Sequence, residues 1–580
     1  MAKIQSNAIF LSFFVLLFLF YSFLAFKSPG KFTSPDETAN FYFIRQFAGN
    51  LFFKVAEPLN GAAPIVVPRS IMVQKDALLP GSFFGMPLLY GAIGWFLGKW
   101  IILFLTPLFS AIAVFVFYKL IILIFDRRTA IISAGLMAIH PAFWYYTARG
   151  MFHNDLFLDL LIFGFYFLTR TLITHNTNNV KYQGSSIKNY ANYALAGLFI
   201  GGAIAVRTSE IIWVGIILLA LIIFHRQKID WRIGIWIALI GMIISMIPIL
   251  YQNNKLYGNA LTFSYTVGAE RAEVAGQAAA KAAGSANVFA KIFNDISGLF
   301  EKAIFPFGIH WDNIFANVWN YGVVLVWPFA LLTLFGCVLF FRNGIINFIY
   351  SSVRRSSDKR VILIYFIGYL FLSIYLLIYY GSWKINDNIL GSNLVSLEQA
   401  YARYWLPIYI FGLPFASLAI LTLLQKGLSI ISYRYADQRR WICRSTQSVL
   451  MCLFVIILFI FSVSSAVLER NVGLAKVRQN TLEYKEVALK AKRTIESNAV
   501  IVSGKADKIF FPEFKVIASE INTNKKAKQL KKILQKAPVY ISILDFSGQS
   551  EKLNKLESFG FKIGKEMKVS TDVALYRISY

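Results

Sequence analysis

The chain is short of acids, histidine and cysteine. Its 580 residues hold 30 Asp and Glu against 58 Lys and Arg, with 5 His and 3 Cys. Cys337 and Cys452 lie in apolar runs and Cys443 in a basic connection, so no disulfide framework is indicated. No His/Cys/Asp/Glu cluster has metal-site spacing, which leaves His153 as an interfacial histidine rather than a ligand. A Walker loop, a dinucleotide fingerprint and a nucleophile elbow are all missing, which argues against an ATP-driven pump. The formal net charge of +28 raises the question of nucleic acid. The basic residues gather in short connections between apolar runs, however, which is the pattern that orients a chain in a bilayer, and no nucleic-acid partner is expected.

What is abundant is apolar surface. Hydrophobic residues make up 57% and aromatics 16%, and the mean hydropathy is +0.57, far outside the range of soluble domains. Runs long enough to cross the hydrocarbon core, about 20 residues each, begin near Ala8, Trp100, Thr129, Asp155, Ala191, Ser209, Ile233, Tyr321, Val361, Tyr404 and Gln447. The predicted fold is therefore a multi-pass α-helical membrane protein with about eleven transmembrane helices. The first run, Ala8 to Phe26, has no small-residue cleavage site after it and only Lys3 before it, and it reads as a retained anchor.

Basic clusters at Arg127-Arg128, His225 to Lys228, Arg354 to Arg360 and Arg434 to Arg444 are assigned to the cytoplasm, which puts the N-terminus inside a plasma membrane. Phe83 to Gly98 is apolar but short, with five glycine or proline interruptions led by Gly85 and Pro87, so it is expected on the membrane surface. The membrane domain then covers residues 1–468, with extracytoplasmic loops at 27–99 and 252–320, and residues 469–580 form an extracytoplasmic domain. In that domain, β-type runs at Ala499 to Val502, Val539 to Ile543 and Val573 to Ile578 alternate with helical stretches, after a polar helix from Leu474 to Ile495. That reads as a small α/β unit. Residues 269–283 have high helix propensity and little bulk, suited equally to a lid or a spacer.

Few charges fall in the predicted outer turns, and several sit at helix ends. Asp36, Glu37 and Asp155 are acids; Arg149, Arg207, Lys384 and Arg403 are bases. Ionisable groups at such places are functional candidates. Each also has a structural alternative. Asp36 and Glu37 suit a first helical turn, Asp155 can cap the next helix, Arg207 can pair with Glu210, and Arg149 and Arg403 can anchor helix ends. Two or three carboxylates beside several guanidinium groups suit a reaction in which a hydroxyl loses a proton and the leaving group is an anion.

Ser34-Pro35-Asp36-Glu37, with Asn40, Tyr42 and Arg45, resembles the acidic loop motif of the GT-C glycosyltransferases, the group of the protein O-mannosyltransferases and the lipid A aminoarabinose transferase. Gly85 to Tyr90 is similar to their Pro-Leu-aromatic segment. His140 to Arg149 followed by Asn154-Asp155 resembles their second outer loop. Ala196 to Thr208 resembles their glycine-containing helix that ends in a basic residue, and Ala402 to Pro407 their Arg-Tyr-x-x-Pro motif. The resemblance covers roughly residues 8 to 225 plus the late Arg-Tyr segment. Asn40 departs from the His or Tyr found there in many relatives.

The resemblance implies inverting transfer of a sugar from a polyprenyl-phosphate-linked donor to an extracytoplasmic protein, lipid or glycan of the cell envelope. Asp36 is the candidate general base, with Glu37 and Asp155 beside it in the catalytic set. Arg207 and Arg403, backed by Arg149 and Lys384, are the candidate donor-phosphate ligands. No cofactor is required by this reading. A divalent cation on Asp36 and Asp155 stays open, because a monophosphate donor does not obviously call for one. The alternative from another class is a transporter or flippase for a lipid-linked anionic substrate.

Overall fold

In a computed structural model of the chain, residues 2–174, 187–262, 308–350, 356–384, 395–433, 440–544 and 549–580 are described. The lid-or-spacer stretch at 269–283 lies outside the described residues.

The fold is predominantly helical. The first half runs through α1 (Ala2–Tyr21), α2 (Pro35–Asn50), α3 (Gly85–Leu97), α4 (Ile102–Ile124), α5 (Arg127–Ile139), α6 (Pro141–Arg149), α7 (His153–Thr174), α8 (Ile187–Val206), α9 (Ile211–Phe224) and α10 (Gly234–Tyr257). Further apolar helices are Trp327–Tyr350, Ser356–Gly381, Leu406–Tyr433 and Arg440–Ala466. All eleven runs expected to span are helical, but the number long and apolar enough to cross a bilayer is smaller. Among the described residues six pass, or eight if each of two sharply bent pairs counts as one span. The run from Thr129 is divided at His140, because Pro141 lacks an N–H and starts a new helix instead of continuing α5. Leu11–Tyr21 and Thr208–Phe224 are helical but shorter.

Close helix crossings rest on small residues. A Cβ added at Gly197 of α8 would lie 1.8 Å from the Ala238 carbonyl oxygen of α10, so the two backbones touch there. The expected surface helix is α3, whose 13 residues are too few for a span. It lies against α2, and Gly85 at its start meets the end of α8, where a Cβ would stand 2.2 Å from the Ala205 oxygen. That contact brings Phe83 next to Arg207, the residue that follows α8.

Between α2 and α3 the chain makes a small antiparallel sheet of β1 (Val55–Ala56), β2 (Ile71–Gln74) and β3 (Ala77–Pro80), in the order β1-β3-β2. The C-terminal unit is α/β, entered through the polar helix Leu474–Thr494. Its five-stranded sheet has the order β5-β4-β6-β8-β7, built from β4 (Val500–Val502), β5 (Lys515–Ile517), β6 (Val539–Leu544), β7 (Lys562–Lys568) and β8 (Val573–Ser579). β4 pairs in parallel with β5 and β6, and β8 pairs antiparallel with β6 and β7.

This unit is docked on the first loop. Phe43 and Phe47 of α2, Ile71, Leu78, Phe510, Phe511 and Val516 belong to one buried cluster. Burying each such side chain contributes about 1.5–3 kcal/mol relative to exposure. A backbone bridge joins Val67 to Ile517, and the Ala518 N–H donates to the Val67 oxygen at 3.1 Å.

Candidate functional site

The site is organised by the first turn of α2. Ser34 has an extended backbone and its hydroxyl accepts from the Asp36 N–H at 3.3 Å. The Glu37 carboxylate reaches back to the Ser34 N–H at 3.3 Å, and Pro35 occupies the first turn. This is a capping box. It satisfies the Ser34 and Asp36 N–H groups at the helix start, and the two adjacent acids then meet different partners.

Glu37 turns inward. Its carboxylate takes a two-pronged ion pair from Arg149, with Nε at 3.1 Å from Oε1 and Nη2 on Oε2. The two side chains are 2% and 1% exposed. Arg149 also donates to the Thr33 hydroxyl at 2.7 Å and the Tyr145 hydroxyl at 3.0 Å, and Glu398 lies 3.7 Å away. Glu37 therefore joins two jobs, capping α2 and neutralising Arg149 at the end of α6.

Asp36 turns toward a more open space and its side chain keeps 30% of its surface. The Ser70 hydroxyl donates to Oδ1 at 2.6 Å and Arg403 donates to Oδ2 at 2.9 Å. Burial opposes its ionisation, but the Arg403 charge and the Ser70 hydrogen bond hold its carboxyl below the ordinary carboxylate range. It is ionised at neutral pH.

Arg403 lies 4.7 Å from the Phe152 ring and 5.2 Å from the Tyr404 ring. Arg207 is also 5.2 Å from the Tyr404 ring, and 5.2 Å from that of Phe83. The two guanidinium groups thus share one aromatic neighbour. Arg207 pairs with Glu210 at 2.7 Å and donates to the Tyr380 hydroxyl at 2.9 Å, and Glu210 is further held by Trp213 Nε1 at 2.6 Å. Tyr380 stacks on Tyr404 with ring centroids 4.3 Å apart. The Arg207–Glu210 pairing weighed from the sequence is present, yet the guanidinium still lies on the ring that it shares with Arg403.

Asp155 sits in the first turn of α7, fully buried, and neither carboxylate oxygen meets a hydrogen-bond donor among the described residues. The Arg403 charge acts on it as well as on Asp36. One turn deeper, Asp159 accepts from the Ser110 hydroxyl at 2.7 Å. A buried carboxylate without a donor is uncommon, which keeps Asp155 a candidate site residue. Lys384 is exposed just after the helix Ser356–Gly381.

The break between α6 and α7 is held by Asn40, whose amide donates to the Met151 oxygen at 2.7 Å and lies 3.2 Å from His153 Nε2. The residue that departs from the family pattern thus links α2 to the turn carrying Asp155. It does so through His153 rather than through Asp36.

Several members of the site carry no local sequence signal. Ser70 lies 34 positions from Asp36, and Tyr380 lies 170 from Glu210. Asp159 could have been found as a second acid at helical spacing from Asp155 inside an apolar run.

No family model matches the chain, and no curated protein sequence matches it. Solved structures do resemble it. The oligosaccharyltransferase of Archaeoglobus fulgidus, tethered to an acceptor peptide with the NVT sequon, is similar over 98% of this chain and 74% of its own, with 14% identity and a TM-score of 0.55. A second structure of the archaeal enzyme, with an inhibitory peptide and a dolichol-phosphate, matches 94% of this chain and 71% of its own at 13% identity, TM-score 0.50. ArnT from Cupriavidus metallidurans, bound to undecaprenyl phosphate, matches 98% of both chains at 9% identity, TM-score 0.51. At these identities the likeness is one of fold: the chain is a multi-pass helical membrane protein that shares its architecture with these structures.

Proposed function

We propose that the protein is an inverting glycosyltransferase that moves a sugar from a polyprenyl phosphate to an extracytoplasmic acceptor. The observation that carries the reading is the convergence of an ionised, partly open carboxylate with two guanidinium groups around one tyrosine ring: Asp36 on Arg403, and Arg403 and Arg207 on Tyr404. Support comes from the structural neighbours, one of which was solved with dolichol-phosphate and another with undecaprenyl phosphate.

In this mechanism Asp36 takes the proton from an acceptor hydroxyl as its oxygen bonds to the anomeric carbon. The bond from that carbon to the donor phosphate oxygen breaks, and polyprenyl phosphate leaves with the electron pair. Attack opposite the leaving group inverts the configuration. A positioned base contributes typically ~10²- to 10⁴-fold. Planar guanidinium forks suit the oxygens that gain charge, which assigns Arg403 and Arg207 to the phosphate, with the exposed Lys384 behind them as a further candidate. Glu37 and Arg149 are assigned to holding the first turn of α2, since each is the other's buried partner. Asp155, fully buried and within the field of Arg403, is assigned to orienting that guanidinium rather than to touching the acceptor. No group of three or more His, Cys, Asp or Glu gathers among the described residues. The mechanism routes no step through a metal.

The reading puts the α2 end of the bundle and the C-terminal unit outside the plasma membrane and the N-terminus inside, following the basic connections. Purified wild-type and Asp36→Asn protein, given defined polyprenyl-phosphate sugars in detergent, test it. Transfer by wild type and its loss in the variant are expected. Undiminished turnover by Asp36→Asn removes Asp36 as base, and no transfer by wild type with any donor favours a carrier of lipid-linked anions.

A further inference from the structure

Two consecutive residues of the C-terminal unit reach the two consecutive acids of the first loop by separate routes. Asp507 accepts from Arg69 three times: from its N–H at 2.7 Å, its Nε at 3.0 Å and its Nη2 at 2.7 Å. The same Nη2 donates to the Lys505 oxygen at 2.7 Å. The residue after Arg69 is Ser70, which holds a left-handed backbone with φ of 60° and donates its hydroxyl to Asp36. A non-glycine residue there is strained and needs its neighbours fixed. Asp507 fixes the preceding N–H and side chain, and the Gly81 N–H donates to the Ser70 oxygen at 3.3 Å on the other side.

The second route starts at Lys508, which is buried and donates to the Thr33 oxygen. The Thr33 hydroxyl accepts from Arg149, and Arg149 is the partner of Glu37. Nearby, Lys31 donates to the oxygens of Ile509 at 2.7 Å and Phe511 at 2.9 Å and pairs with Glu513. The short helix Asp507–Phe510 is therefore gripped on both sides by the segment that carries the acids.

We propose that Asp507 and Lys508 are positioning residues for the Asp36–Glu37 pair. Asp507 holds Ser70 on Asp36 through Arg69, and Lys508 holds Arg149 on Glu37 through Thr33. The C-terminal unit then aligns the base instead of binding a substrate of its own. Asp507 is buried while Arg69 is partly exposed, and three hydrogen bonds to one carboxylate fix the direction of the Arg69 segment, which is what alignment requires. A misplacement of about 1 Å at a reacting group costs up to ~10²-fold in rate. This inference rests on the glycosyl-transfer reading only for its kinetic consequences.

The test uses the full chain in detergent with three variants, Asp507→Asn, Lys508→Met and Lys515→Ala. Lys515 pairs with Glu57 at 2.7 Å, a docking contact that no hydrogen bond among the described residues links to the acids, and serves as the control. Two readouts are taken. Hydrogen exchange of peptides covering residues 31–40 and 66–74 reports the alignment directly. The pH profile of kcat for transfer from a polyprenyl-phosphate sugar reports its consequence.

Asp507→Asn is expected to speed exchange at 66–74, lower kcat by roughly 10- to 100-fold with the donor KM little changed, and move the acid limb upward in pH. Lys508→Met is expected to speed exchange at 31–40, and Lys515→Ala to leave both segments and the profile as in wild type. Unchanged exchange in the first two variants, or a uniform loss of active protein with an unshifted pH profile, overturns the proposal. If wild type transfers no sugar, the functional reading fails and the exchange data alone decide the alignment.

Discussion

Replacing Arg149 by Met leaves the Glu37 carboxylate, 2% exposed, without its cation. Of the four donations that Arg149 makes to neighbouring side chains, two go to Glu37. What remains for Glu37 is the Ser34 N–H at 3.3 Å. Breaking a buried pair by removing one partner costs about 3–5 kcal/mol, because a charge stays behind without compensation. The converse change, Glu37→Gln, should cost less. Arg149 keeps Thr33, Tyr145 and the partly exposed Glu398 at 3.7 Å, and the Gln can still reach the Ser34 N–H. The double variant removes both charges, so its loss should be smaller than the sum of the two single losses, with a coupling of about 1–3 kcal/mol. Thermal unfolding of the four proteins in one detergent, read by intrinsic fluorescence at fixed pH, supplies the cycle. Additive effects, or an Arg149→Met loss below about 1 kcal/mol, refute the claim that these groups are a buried unit.

Further outcomes follow from the same contacts. Ser70→Ala removes a donor that favours the ionised form of Asp36, so its pKa rises. Activity that depends on the anion, present above that pKa and lost as pH falls through it, should then fail at a higher pH than in wild type; an unmoved acid limb contradicts the assignment. Arg403→Lys keeps the charge but loses the planar fork, and should lower kcat for transfer by at least ~10-fold, while retention of wild-type kcat removes Arg403 from the phosphate. Gly197→Val forces apart the backbones of α8 and α10, where a Cβ already lies 1.8 Å from the Ala238 oxygen, and should cost about 1–3 kcal/mol of stability in detergent melts.

The helical segments were legible because lipid demands long apolar runs, and each predicted run is helical. Where those helices bend or restart was not. A sharp bend of 113° between α6 and α7, or a proline that restarts a helix at 141, changes no hydropathy average. In the C-terminal unit, strands β4, β6 and β8 were visible as β-branched runs. β7, with the sequence KIGKEMK and largely exposed, looks like a surface helix or loop until β8 pairs with it, and β5 is only three residues long. The start of α2 could be read from Ser34 and Glu37 alone, since a capping box is local. Ser70, Tyr380 and Asp507 could not, because their roles come from contacts across 34, 170 and 438 positions of chain.

The central claim is that a sugar leaves a polyprenyl phosphate with inversion as Asp36 takes a proton. Purified protein supplied with an isotopically labelled polyprenyl-phosphate sugar and an envelope acceptor extract tests it, by counting the lipid monophosphate released and reading the anomeric configuration of the product by NMR. One polyprenyl monophosphate per sugar transferred, with inverted configuration, is the expected result. Retained configuration, or movement of the intact lipid across a vesicle membrane with no bond cleaved, contradicts the account.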